Sequence, residues 1–164
     1  MIGAETEDAF VARFGDIYEH SPWIVRAAWP DAPFVSVGAM IEATARIVRA
    51  AGPERQYALV RAHPELARRF GVDLSLGALS AAEQEGAGLD RLSQAEFEEF
   101  RSLNDAYRAR FDMPFVICVR RATKTLIRDE IRRRLAQAPA QELSEALSQI
   151  DEIARLRLAD KVTI

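Results

Sequence analysis

Only one short run in this chain, Met113 to Val119, reads as a β-strand, and one strand makes no sheet. Its main-chain groups have no partner strand to pair with, so the core has to be built from something else. Elsewhere the apolar residues recur at three- and four-residue steps, the period of a helix with one buried face. The expected fold is therefore all-α: a single-domain bundle of about seven to nine helices, with one short extended apolar segment near 113–119 threaded through it. A chain of 164 residues, 49% hydrophobic and 29% charged, supports one domain with an ordinary core, and 1–164 is taken as that domain.

Start and stop signals divide the chain. Thr6 followed by Glu7 and Asp8 reads as a cap with an acidic first turn, and Phe10, Phe14, Ile17 and Tyr18 mark the buried stripe behind it. Ser21-Pro22 opens a short helix, with Ser21 as cap, that runs from Trp23 to Trp29 and stops at Pro30. Ser36 caps a third helix, whose apolar positions Val37, Met40, Ile41, Thr44, Ile47 and Val48 keep three- and four-residue steps, and Gly52-Pro53 ends it and begins a fourth. After a glycine-containing loop over 71–79, Ser80/Glu83 and Ser93/Glu96 both have the S-x-x-E form of a capping box. The second opens a helix carrying Phe97, Phe100, Leu103, Tyr107 and Phe111, with Asn104 on the same stripe as a structural polar group in need of a partner. Thr123 caps a helix with Leu126, Ile127, Ile131 and Leu135 inward. Its Arg128, Arg132, Arg133 and Arg134 are expected to form a solvated face.

Two polar residues stand out against this pattern. His63 directly precedes Pro64, which pushes its predecessor out of the α region, so the imidazole sits at a helix-ending corner. Leu59 and Val60 share its side of the helix and place it beside the core. A helix-end structural histidine and a proton-transfer group with a pKa near neutrality both fit that position. In the last helix, roughly 141–158, Leu143, Ala146, Leu147, Ile150 and Ala154 lie on one stripe, and Arg157 lies on it too. A guanidinium on the buried side needs an anion, either a carboxylate of the chain or a ligand.

Several function classes lose support. A net charge of −3 argues against a nucleic-acid binder, and no apolar run is long enough to span a membrane. The acidic start lacks the pattern of a signal peptide, and a single cysteine, Cys118, forms no internal disulfide. A cytoplasmic location is the default expectation. There is no metal-ligand spacing and no Gly-rich phosphate loop, so no metal or cofactor is expected.

Glu19-His20-Ser21-Pro22-Trp23, His63-Pro64-Glu65-Leu66 and Ser80-x-x-Glu83-Gln84, taken in order, resemble one family. Leu103-Asn104-x-x-Tyr107, Phe111-x-x-Pro114-Phe115-Val116-Ile117-Cys118 and Ile153-Ala154-x-x-Arg157-Leu158 extend the resemblance from about Phe10 to Asp160. The family is that of 2-oxo-4-hydroxy-4-carboxy-5-ureidoimidazoline (OHCU) decarboxylase. The resemblance implies a cofactor-free all-α lyase of urate breakdown, often a homodimer, that releases carbon dioxide and yields (S)-allantoin. It places the catalytic histidine on His63 with Glu83 beside it. Substrate binding falls on Pro64, Ser80, Gln84 and Arg157 and on the main chain around Phe115 and Ile117. Ser80 and Glu83 remain readable as a helix cap, as an active site, or as both. A cofactor-free lyase acting on a related ureido acid and a non-enzymatic helical module binding a partner protein beside Arg157 are the alternatives.

Overall fold

In the computed structural model, residues 1–69, 71 and 73–163 are described; Phe70 and Val72, next to and within the expected 71–79 loop, and Ile164 lie outside them. The helices among them are α1 (Glu7–Phe14), α2 (Pro22–Ala28), α3 (Val37–Ala50), α4 (Pro53–Arg61), α5 (Ala78–Gly86), α6 (Gln94–Phe111), α7 (Lys124–Arg134) and α8 (Pro139–Val162). Short 3-10 turns occupy Trp29–Asp31 and Val119–Arg121. Among the described residues there is no sheet, only an isolated bridge between Ile2 and Phe34, as the all-α expectation requires. None of the described helices is long and apolar enough to cross a membrane.

The helix ends follow from local chemistry. Thr6, Ser36, Ser93 and Thr123 accept hydrogen bonds from the amides of Ala9, Ala39, Glu96 and Leu126, satisfying first-turn donors that have no partner inside the helix. At Ser93 the capping box is complete, because the Glu96 carboxylate also accepts from the Ser93 amide at 3.0 Å. Gly52 takes a φ of 86° before Pro53, a conformation that glycine adopts without a Cβ penalty. Ser21 departs from expectation. Its hydroxyl donates to the Glu19 carbonyl at 2.9 Å, and α2 begins at Pro22 without a side-chain cap.

The chain forms two compact units, Met1–Ala62 with Leu147–Ile164, and His63–Ala146. In the first, α2 packs on α1 and α3, and Phe10, Phe14, Tyr18, Ile24, Val25 and Met40 are fully buried. The Tyr18 hydroxyl shares a hydrogen bond with Thr44 (2.8 Å) and reaches Asp151, which Arg49 pairs at 2.8 Å. Burial raises the Asp151 carboxyl above its usual range, with Arg49 acting against that shift. The inward stripe of α8 is borne out at Ala146, Leu147, Ile150, Ala154 and Arg157, all buried.

In the second unit α6 packs on α7, with Phe100, Tyr107, Phe115, Ile127 and Ile131 in the core. Two expectations for α7 fail here. Leu126 is 44% exposed, because the buried stripe runs through Ile127 and Ile131. That stripe reaches Arg134 next, at the following three-residue step, and Arg134 is not solvated but wholly buried. Its guanidinium pairs with Glu142 at 2.6 Å, donates to the Val116 carbonyl at 2.8 Å and lies 4.3 Å over the Phe115 ring. Tyr107 donates to the same carboxylate, and burial pushes its phenol well above the usual range. Arg132 and Arg133 do stand at the surface and Arg128 is half-buried, the three paired with Glu99, Glu130 and Glu145.

Removing one partner of a buried ion pair leaves the other charge uncompensated. Glu142→Ala is expected to lower stability by about 3–5 kcal/mol in denaturant unfolding, and Glu142→Leu with Arg134→Met to cost less than Glu142→Ala alone. Glu96 supplies a pH test. The Ser93 amide, followed by Lys124, holds its carboxyl down to about 2, against an ordinary value of 4.5. A depressed carboxyl favours the fold when ionised, so its contribution is complete above 4.5 and disappears as pH falls through about 2. Glu96→Gln should flatten the fall in unfolding free energy across that window, measured by denaturant titration at successive pH values.

Candidate active site

The corner at His63 forms because α4 cannot continue through Pro64. The helix closes with the Ala62 amide bonded back to Ala58 and Leu59, and His63 follows with 7% of its surface exposed. Leu59 and Val60 are buried beside the preceding turn, so the imidazole stands next to the core as its spacing predicts. Three of the residues after it, Glu65, Leu66 and Ala67, are tied down individually. The Ala67 amide donates to Gln84 Oε1 at 3.3 Å, and Gln84 Nε2 donates to the Glu65 carbonyl at 3.4 Å. From α6, Asn104 Nδ2 donates to the Leu66 carbonyl at 2.7 Å, and Arg108 Nε lies 2.7 Å from the Glu65 carboxylate. Asn104 thus has the structural partner that its place on the stripe demanded.

α5 excludes the reading of Ser80 and Glu83 as a helix cap. Gly77, not Ser80, is its N-cap, and α5 starts at Ala78. Ser80 and Glu83 therefore lie inside the helix and form no capping box, unlike Ser93 and Glu96. The two S-x-x-E segments are alike as letters; the difference is where the backbone turns helical. Ser80, Glu83 and Gln84 stand at i, i+3 and i+4, one face of α5. Ser80 and Gln84 are buried, and the Glu83 side chain is 10% exposed. Gln84 is engaged on both ends of its amide by the loop after His63, so it also sets the shape of that loop.

Residues 114–118 are buried and lie in neither a helix nor a sheet, with Phe115 and Ile117 both in the core. Neither Phe115 nor Ile117 makes a main-chain hydrogen bond among the described residues. The 3-10 turn that follows packs on α5, and its Arg120 Nε lies 3.7 Å from Glu83 Oε2. Two sequence-distant pieces therefore meet on α5: the loop after the His63-Pro64 corner through Gln84, and the turn after segment 114–118 through Glu83.

Of the residues singled out by sequence, His63, Pro64, Ser80, Glu83, Gln84, Phe115 and Ile117 belong to the unit His63–Ala146, and Arg157 to the other. Arg157 is buried as expected, and its anion is supplied by the chain: Nη1 donates to Glu19 Oε2 at 3.0 Å and to the Ile17 carbonyl at 3.4 Å. Glu19 and Arg120 are the partners that sequence reasoning missed. Glu19 stands inside the Glu19-to-Trp23 motif, but nothing in its spacing ties it to a residue 138 positions away. For Arg120 the available signal was its position directly after the extended run. Among the described residues no cluster of three or more His, Cys, Asp or Glu side chains is arranged to hold a metal ion.

The sequence model of the family described as OHCU decarboxylase matches residues 4–159. A 2-oxo-4-hydroxy-4-carboxy-5-ureidoimidazoline decarboxylase of Haloferax volcanii is 41% identical over 155 residues, covering 94% of this chain and 90% of that protein. Its counterpart in Bos taurus is 38% identical, covering 92% of this chain and 89% of that one. Among solved structures, an (S)-allantoin synthase superposes with a TM-score of 0.77 at 29% identity, over 98% of this chain and 52% of the other, longer chain.

Gln84→Ala should leave the buried Ala67 amide unsatisfied and lower stability by roughly 1–3 kcal/mol. Hydrogen exchange should show faster exchange over 65–67, with α7 unaffected.

Proposed function

The chain belongs to the OHCU decarboxylase family, and from that membership we propose that it converts OHCU to (S)-allantoin and carbon dioxide in urate breakdown. The observation that carries this reading is the junction on α5, where Ser80, Glu83 and Gln84 share one helix face with links to both the His63 loop and the turn after Ile117. In this reading the junction joins the elements that carry an imidazole, a carboxylate, an amide and the main chain at Phe115 and Ile117.

The chemistry suits these groups. The carboxylate leaves as carbon dioxide, its bonding pair forms a double bond between the hydroxyl-bearing and ureido-bearing carbons, and the imine pair passes to the ring nitrogen, which takes up a proton. The resulting enol gives up its hydroxyl proton to become the ring carbonyl, and a proton delivered to one face of the carbon bearing the ureido group completes a single enantiomer. The ring is its own electron sink, so the residues need only bind, orient and move protons. His63 acts as the general acid/base, a role worth typically about 10²- to 10⁴-fold. Glu83 accepts from ureido or ring N–H groups, and Gln84 and Ser80 complete that edge. Pro64 shapes the wall beside His63, and the main chain at Phe115 and Ile117 pairs with the ring amide. Arg157, steadied by Glu19, holds an anionic oxygen of the substrate. In this reading the working state is a cytoplasmic homodimer, whose assembly light scattering on the purified protein tests.

Freshly generated OHCU, followed by circular dichroism, provides the assay. Wild-type protein should produce (S)-allantoin faster than the blank and in enantiomeric excess. His63→Ala and Glu83→Ala should each abolish the excess while leaving the far-ultraviolet spectrum unchanged. Racemic product at the blank rate would rule the activity out, and full activity in His63→Ala would remove the histidine from its role.

A further inference from the structure

The ion pair between Glu83 and Arg120 has no part in the roles assigned above. Arg120 sits in the turn Val119–Arg121, immediately after the segment whose main chain is read as meeting the substrate ring. Its Nε is 3.7 Å from Glu83 Oε2, with the two side chains 31% and 10% exposed. A partly exposed pair at that separation contributes only about 0–1 kcal/mol to stability, so holding the fold together is a poor account of it. Its geometry has a different consequence. A glutamate side chain turns about three bonds, and its carboxylate goes where its partner holds it. The guanidinium paired with this one at 3.7 Å is planar, directional and rooted in the same short stretch of backbone as Phe115 and Ile117.

We propose that Arg120 is a positioning residue: it fixes the Glu83 carboxylate in register with the Phe115–Ile117 main chain, so that the two groups gripping the substrate's ureido and ring edges keep one spacing. The inference rests on the proposed reading of the site. It separates geometry from charge, because lysine keeps the charge and loses the planar fork. It also separates action through Glu83 from direct contact with substrate, because only the former vanishes when Glu83 can no longer respond.

The test compares wild type, R120M, R120K, E83Q and R120M/E83Q with fresh OHCU, reading kcat, KM and the enantiomeric excess of allantoin. Affinity for (S)-allantoin is measured by calorimetry in the same five proteins, since product binding stays measurable in variants that no longer react. R120M should keep a melting midpoint within about 4 °C of wild type. Its kcat should fall roughly 10- to 100-fold, the scale of a misplaced orienting group, with lost enantiomeric excess and a smaller change in KM. R120K should recover only part of the loss. In the E83Q background, adding R120M should change activity and allantoin affinity by less than about 2-fold, the mark of two residues acting as one unit. Wild-type kcat and excess in R120M, or an equal loss of allantoin affinity with and without Glu83, overturns the inference. Wild-type protein with no excess of (S)-allantoin removes the functional reading itself and the inference with it, whereas an active wild type with an indifferent R120M removes only the inference.

Discussion

A single buried guanidinium holds the second unit in its shape. Arg134 has no solvent exposure, pairs with Glu142, takes the Val116 carbonyl and covers the Phe115 ring. Among the described residues the segment 114–118 has no neighbouring strand, so its conformation depends on side chains that satisfy or enclose it. Arg134 does both at once. Tyr107 shares the Glu142 carboxylate and meets Phe115 edge-on, with ring centroids 5.3 Å apart, which closes the cluster from α6. Buried ion pairs contribute little net stability beside a well-packed apolar alternative. What this one supplies is a fixed path for a piece of backbone that hydrophobic packing alone would leave free to slide.

That path positions the candidate site. The segment leads into the turn that carries Arg120, the turn packs on α5, and α5 reaches the loop behind His63 through Gln84. Each link is polar and directional, while the helices that carry them are held by apolar faces. The division suits a site built for a planar, hydrogen-bonding substrate: the core fixes the elements to within a side chain's reach, and the polar links set the final spacing.

Much of this was legible from residues alone. The stripe of α8 turned Arg157 inward, Ser93 and Glu96 formed the box that their spacing predicts, and 114–118, the middle of the run 113–119, stayed out of any helix. The errors share one cause. Arg134 was assigned to solvent because three consecutive arginines fan around a helix, and an arginine is buried only when a carboxylate comes to meet it. That carboxylate belongs to another helix, and no local pattern points to it. Arg157 shows the same dependence: its burial was predictable, but its partner Glu19 was not, because the pairing joins positions 138 residues apart.

The sequence by itself determined the class of fold, most of the helix ends and the family. Those properties rest on interactions within about four residues, or on motifs whose order survives in the linear chain. Tertiary structure alone decided that Ser80 and Glu83 lie within α5 instead of capping it, that Gln84 is spent partly on the His63 loop, and that Glu83 faces Arg120. The physical reason is that a side chain's role depends on which donor or acceptor reaches it first. For these residues the groups that arrive first come from segments between 17 and 37 residues away or more, brought in by packing that no short-range signal encodes.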